Sequence, residues 1–311
     1  MISPTPKLSK MMPGKATKRK LSKRELHEER WFYGFISLWL VGFIVFTGGP
    51  LIASLFISFT NWTGVKTIEW VGLKNYVDMF TDRLFWISLG NTFYYGAASV
   101  FFGTAVALLI ASILNQKIPG RNFLRTIFFM PWVTTGVAVA IMWLWILNPQ
   151  VGLLNYGLSL VDVQGPGWLS SQQWAMPSFI ILAVWQNGQT MIILLAALSG
   201  VPTMLYEAAS LDGAGSWAKF RHVTLPMISP AMFFVIITGI VGAFQAFVTF
   251  QVMTGGGPGT ATKVYLLYLV DNAFGFFKMG YGSALAWVLL IIVAVITWIQ
   301  FAVGRKWVHY E

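Results

Sequence analysis

The sequence predicts an all-helical integral membrane protein with six spans. Three observations carry that expectation. Only 10% of the 311 residues are charged and 56% are hydrophobic, whereas a soluble domain carries about 25% charged residues. Six mostly apolar windows reach the roughly 20 residues that a bilayer crossing needs: 33–58, 91–115, 124–147, 177–199, 229–253 and 281–303. Sixteen of the 21 Lys and Arg residues fall in alternate connecting segments; the other five are Lys66, Lys74, Arg83, Lys263 and Lys278.

Taken in order, the chain opens on a basic tail, 1–32, with nine Lys and Arg between Lys7 and Arg30. A basic tail ahead of a long apolar helix is a topology signal rather than a nucleic-acid arm. The first window is too long for a signal-peptide core and no small-residue cleavage site follows it, so it reads as a retained start-transfer helix. Pro50 is expected to kink that helix or end its regular part. Backbone groups in lipid must bond internally, so all six windows read as helices. The positive-inside rule places both termini in the cytoplasm, together with 116–126 and 200–228. The domain plan is then a tail at 1–32, a six-span domain at 33–304 and a short cytoplasmic tail at 305–311.

Several functions are excluded by what the chain lacks. With no cysteine there is neither a disulfide nor a thiolate metal site. No Asp, Glu, Lys, Arg or His lies well inside a window, which argues against a proton relay and suits a neutral, hydroxyl-rich solute. Gly255–Gly257 with Pro258 resembles a phosphate cradle only superficially, because Thr262 and Val264 flank Lys263 where a P-loop needs Gly before Lys-Ser/Thr. His27, His222 and His309 are too far apart for a metal site or a catalytic triad. Asn61-Trp62-Thr63 fits a glycosylation sequon, a common chance tripeptide.

The loop at 200–228 is the most informative segment. Pro202 suits the first turn of a helix, and Leu205, Ala208, Ala209 and Asp212 follow at helical spacing. Gly213 and Gly215 permit a sharp turn, and Ser216 is placed to cap a second short helix. Trp217, Phe220 and Val223 form the apolar stripe of that helix, and Pro226 ends it. On spacing alone, a helical hairpin lying flat at the lipid interface is an equal alternative.

The loop resembles the Glu-Ala-Ala cytoplasmic loop of importer-type ABC permeases: Glu207-Ala208-Ala209, three residues, Gly213, then Leu225-Pro226 after Val223, where the family pattern has Ile. Gly72-Leu73-Lys74-Asn75-Tyr76, Asn91-Thr92, Gly152-Leu153-Leu154-Asn155, Thr254-Gly255-Gly256-Gly257-Pro258 and Met279-Gly280-Tyr281-Gly282-Ser283-Ala284 are similar to segments of the maltose- and oligosaccharide-type group. The likeness covers roughly 33–304 and implies a type I importer permease of a bacterial inner membrane. It implies that Glu207, Ala208, Ala209, Asp212, Gly213, Leu225 and Pro226 form the segment that docks on an ATPase. It also implies an ABC ATPase dimer holding ATP and Mg, a second permease of similar fold, and an external solute-binding protein, with no cofactor on this chain and no nucleic-acid partner.

Transporters of this kind bind solute near the bilayer midplane. The polar residues at that depth are Trp185, Gln186, Asn187, Gln189 and Thr190 in the fourth window, and Gln245, Thr249 and Gln251 in the fifth. Amides donate and accept, which suits sugar hydroxyls, and Trp185 offers a face for a pyranose ring. Helix-packing hydrogen bonds are the alternative use of the same groups. The competing function is an ATPase-independent channel or secondary carrier for a neutral solute. A membrane enzyme is a third class, for which no catalytic constellation is visible.

Overall fold

The computed structural model describes residues 23–65, 67–305 and 307–308. Most of the expected N-terminal tail lies outside the described residues, as do Lys66, Lys306 and His309. The described residues contain helices and no strand; Thr60 and Trp70 form one isolated bridge. Contacts divide the chain into Met1–Ser54 and Leu55–Glu311.

The first span is a single helix from His27 to Ser58, most of it in the first unit. Pro50 neither ends nor sharply bends it. A π-helical turn, Ile44–Gly48, precedes the proline, and the Gly49 N–H donates to the Ile44 carbonyl. The wider turn absorbs the bond that proline cannot make. A Cβ on Gly49 would stand 2.9 Å from that carbonyl oxygen, so the glycine is what the turn requires.

The second unit is organised on the second span, Arg83–Leu114. This helix starts eight residues ahead of the apolar window because Asp82 caps it, accepting the Leu84 N–H at 2.8 Å. One stripe of it is buried: Ser88, Thr92, Gly96, Ser99, Gly103, Ala107 and Ala111 recur every three or four residues. Small side chains let neighbouring helices approach closely where lipid supplies no hydrophobic drive. Ala175–Trp185, Gly188–Ser199 and Ser229–Phe244 all pack on this helix.

Among the described residues, three helices are long and apolar enough to cross a membrane, His27–Ser58, Arg83–Leu114 and Met279–Gly304; three bent pairs raise the count to as many as six. The bent pairs show that the third and fourth windows are helices broken near their middles. Arg121–Val133 and Gly136–Ile146 meet at 101°, and Ala175–Trp185 and Gly188–Ser199 at 45°. Thr134 and Thr135 are both extended, with ψ of 138° and 139°, which makes the first of these corners. The fifth helix ends at Phe244 rather than 253, and a separate short helix, Val248–Met253, follows.

At the end of the unit bearing the long loops, asparagines clamp backbone. Asn75 donates through Nδ2 to the carbonyls of Ser58 and Thr60 at 2.8 and 2.9 Å. Asn91 donates to those of Thr260 and Lys263, and Thr92 Oγ1 accepts the Tyr265 N–H. Asn155 donates to Pro149 and Pro166 carbonyls and accepts from Trp168 Nε1. Gly280 completes the set: its N–H donates to the Trp62 carbonyl, and a Cβ there would lie 1.9 Å from the Thr60 oxygen. Replacing Asn75 with Ala strands two carbonyls in a buried setting. Thermal unfolding of the detergent-purified chain should show a loss of about 1–3 kcal/mol; an unchanged transition contradicts the clamp.

Candidate functional site

The fourth span breaks at its polar residues. Gln186 ends Ala175–Trp185, and Asn187 precedes Gly188–Ser199 without capping it through its side chain. Gly188 explains why the break sits there: a Cβ would stand 2.6 Å from the Phe128 carbonyl oxygen and 2.9 Å from the Phe129 Cα. The following helix therefore lies directly on the backbone of Arg121–Val133. A broken helix exposes polar backbone at bilayer depth, which is tolerated where protein or a watery cavity surrounds it.

A cavity of about 370 Å³ adjoins the break. Gln186, Asn187 and Thr190 line one side, Tyr95, Ser99 and Thr104 of the second span another, and Gly239 and Gly242 of the fifth a third. No charged side chain lines it. The Asn187 amide fills the room left by Gly103, whose Cβ would fall 2.4 Å from Asn187 Nδ2. The side chains of Gln186 and Asn187 make no hydrogen bond among the described residues, so their donors and acceptors are free to meet a solute.

The remaining expected pathway residues lie outside this cavity. Trp185 packs edge-on against Trp143, ring centroids 5.6 Å apart, and faces a separate small void. Gln189 is exposed on another face. Gln245 is exposed at the end of the fifth helix, and Thr249 and Gln251 belong to the short helix beyond it. Within Gly188–Ser199 consecutive residues point about 100° apart, so Gln189 turns away where Thr190 faces the cavity. Tyr95, Ser99 and Thr104 were not singled out by sequence; the signal that marks them is hydroxyls in an otherwise apolar window.

The 200–228 segment is a helical hairpin. Pro202 stands just before the first helix, Thr203–Leu211, rather than within its first turn. Gly213 has φ +76°. The Ala214 N–H donates to the Ala209 carbonyl at 2.9 Å and the Gly213 N–H to that of Ser210 at 3.1 Å, which together make a Schellman cap. The four-residue step from Ala209 to Gly213 is thus the geometry of a helix ending. Gly215, not Ser216, precedes the second helix, and no side chain caps it. That helix runs from Ser216 to Met227, one residue past Pro226.

The hairpin has two faces. Tyr206, Val223, Leu225 and Met227 pack on a cluster containing Leu198, Val201 and Ile228, and the Tyr206 and Thr224 hydroxyls lie 3.0 Å apart. Lys219 Nζ donates to Ser210 Oγ at 2.7 Å, tying the two arms. On the other face Met204, Glu207, Ala208 and Leu211 share one side of the first helix, with Met204 69% and Leu211 90% exposed. Trp217 of the second helix, 70% exposed, stacks on Phe220. Leu225 is therefore an anchor of the hairpin, while Glu207 and Ala208 lie on its open face; Asp212, at the turn, is exposed.

Comparison with known proteins agrees with these features. Residues 99–309 match the family described as binding-protein-dependent transport system inner membrane component. The probable ABC transporter permease protein YesP of Bacillus subtilis (strain 168) is 42% identical over 90% of this chain and 92% of its own. The probable starch degradation products transport system permease protein AmyD of Thermoanaerobacterium thermosulfurigenes is 31% identical over 89% and 94%. A chain in the crystal structure of a bacterial ABC transporter that imports the acidic polysaccharide alginate superposes with a TM-score of 0.79 at 22% identity, covering 91% of this chain and 98% of that one, a likeness of fold. The chain is a membrane protein belonging to the family of inner membrane components of binding-protein-dependent transport systems.

Proposed function

We propose that this chain forms part of the path of a neutral carbohydrate across a bacterial inner membrane, as a non-catalytic permease subunit of an ABC importer. The observation that carries the reading is the cavity at the fourth-span break, where free amides, hydroxyls and an aromatic ring meet at bilayer depth without a charge. Sugars present dense hydroxyls that amides can both donate to and accept from. The relative AmyD is named for starch degradation products, which agrees with that chemistry.

In this reading the hairpin faces the cytoplasm with both termini, and an ATPase dimer holding ATP and Mg docks on Met204, Glu207, Ala208 and Leu211. The Schellman turn at Gly213 keeps the two arms at a set angle, and the anchors Tyr206 and Leu225 pass the push into the span ends. An external binding protein delivers the solute at the long-loop end. A second permease of similar fold completes the path; an apolar groove of about 470 Å³ shares Val100 and Thr104 with the cavity and also includes Phe101, Leu108, Ile236 and Ile240, a surface suited to another helix.

Two measurements in liposomes containing the whole transporter test this. Gly213→Pro cannot adopt φ +76° and should leave the protein in the membrane while lowering ATP-driven uptake on the order of tenfold, a loss of about 1.4 kcal/mol in coupling. Glu207→Lys should act in the same direction; normal uptake by both variants contradicts the docking face. Gln186→Ala removes about one hydrogen bond, so KM for the solute should rise about 2- to 10-fold with protein level unchanged. Unaltered kinetics would leave Gln186 outside the path.

A further inference from the structure

The long-loop end holds a second cavity of about 270 Å³, and its lining includes Asn75, Asp78, Asp82, Asn272, Lys278 and Tyr281. Hydrogen bonds already made dictate what this lining can offer. Asn75 and Asn272 are 8% and 5% exposed. Asn75 Nδ2 donates to two backbone carbonyls and Asn272 Nδ2 to that of Tyr268. A carbonyl only accepts, so neither amide can be turned around. Each therefore presents its oxygen to the cavity, and no donor among the described residues reaches either oxygen.

Tyr281 is constrained in the same way. The Tyr268 hydroxyl donates to Asp82, and burial, reinforced by that bond, pushes Tyr268 well above the ordinary tyrosine range. Its one proton is committed, so at the 2.9 Å contact between the two hydroxyls Tyr281 must be the donor. Tyr281 then keeps only lone pairs for the cavity. Asp82 is occupied by Tyr268 and by the Leu84 N–H. The Asp78 carboxylate has no partner among the described residues. Acceptors dominate the lining: its donors are the exposed Lys278 and the side chains of Asn61 and Trp62, and its two carboxylates outweigh the one ammonium. The described residues include no group of three or more His, Cys, Asp or Glu able to hold a metal ion.

We infer that this pocket binds a guanidinium or primary ammonium group, held by the Asp78 carboxylate and the amide oxygens of Asn75 and Asn272. Such a group supplies several N–H donors to the unpaired oxygens and positive charge to a lining that is net acidic. It comes either from a free organic cation or from a basic side chain of a protein docking at this end. The inference rests on the pocket alone and does not depend on which solute crosses the membrane.

Titration of the complete transporter in nanodiscs with methylguanidinium chloride, against sodium chloride at equal ionic strength, tests it by calorimetry. Saturable binding is expected, weakened at least about tenfold by Asp78→Asn, an exposed position whose change leaves the clamp intact. Lys278→Gln should tighten binding a few-fold by removing the competing cation. A second arm separates the sources. If methylguanidinium competes with the external binding protein and Asp78→Asn weakens that complex, the group is a protein side chain. If methylguanidinium binds without affecting the complex, it is a free cation; either result upholds the chemistry. No saturable binding, binding indifferent to Asp78→Asn, or stronger binding of calcium than of methylguanidinium overturns it.

Discussion

Close approach of helices along the small-residue stripe of Arg83–Leu114 is the constraint on which the rest of the larger unit depends. In lipid, apolar side chains gain nothing by leaving the tails for each other, so packing density and polar contacts decide association. Gly96, Ser99 and Gly103 keep that surface low. A Cβ at Gly96 would come within 3.3 Å of the Ala243 Cβ, and one at Gly103 would displace the Asn187 amide. The fourth and fifth helices can therefore sit close enough to share a cavity with the second. Larger residues along the stripe would push them apart and open the site to lipid.

The same economy shapes the fourth-span break and the hairpin. A break in a spanning helix leaves carbonyls and N–H groups without helical partners, a cost tolerated where they face protein or an aqueous space. The break at Gln186 and Asn187 does face such a space, so the polar backbone and the polar side chains serve one purpose. In the hairpin, the Glu-Ala-Ala and Gly spacing combines a helix face with its termination. Ala209 supplies the carbonyl that the turn closes on, Gly213 supplies the left-handed residue, and Glu207 and Ala208 stay on the open side. Replacing the glycine would alter the angle between the arms without touching the exposed face.

Much of this was legible in the sequence. Hydropathy found the six apolar windows because burial in lipid demands length and composition, both visible in a linear chain. The hairpin was legible because Gly and Pro mark turns by backbone chemistry. The helix breaks were not, since two extended threonines or a single Gln-Asn step barely change the hydropathy of a window. Pro50 misled because the π turn that accommodates it depends on Gly49, a neighbour whose role appears only in three dimensions. Of the residues lining the cavity, Gln186, Asn187 and Thr190 are marked in the sequence by their polarity. Tyr95, Ser99 and Thr104 were missed because hydroxyls within an apolar helix look like packing until the facing helices are placed. Trp185 is expected from sequence to offer its face to a pyranose ring, whereas the helix turns it toward Trp143.

Under the proposed function, the space beside the fourth-span break opens alternately to the two sides of the membrane under control of the hairpin. The chain contains no cysteine, so Thr190→Cys places a single thiol at the cavity wall in an otherwise unreactive chain. Labelling of that thiol by a membrane-impermeant maleimide, applied from one side at a time to the reconstituted transporter, is the direct measurement. The side giving labelling is expected to change between the nucleotide-free and ATP-bound states, and Gly213→Pro is expected to abolish the change. Labelling from one fixed side in both states, with or without the Gly213 substitution, would contradict it.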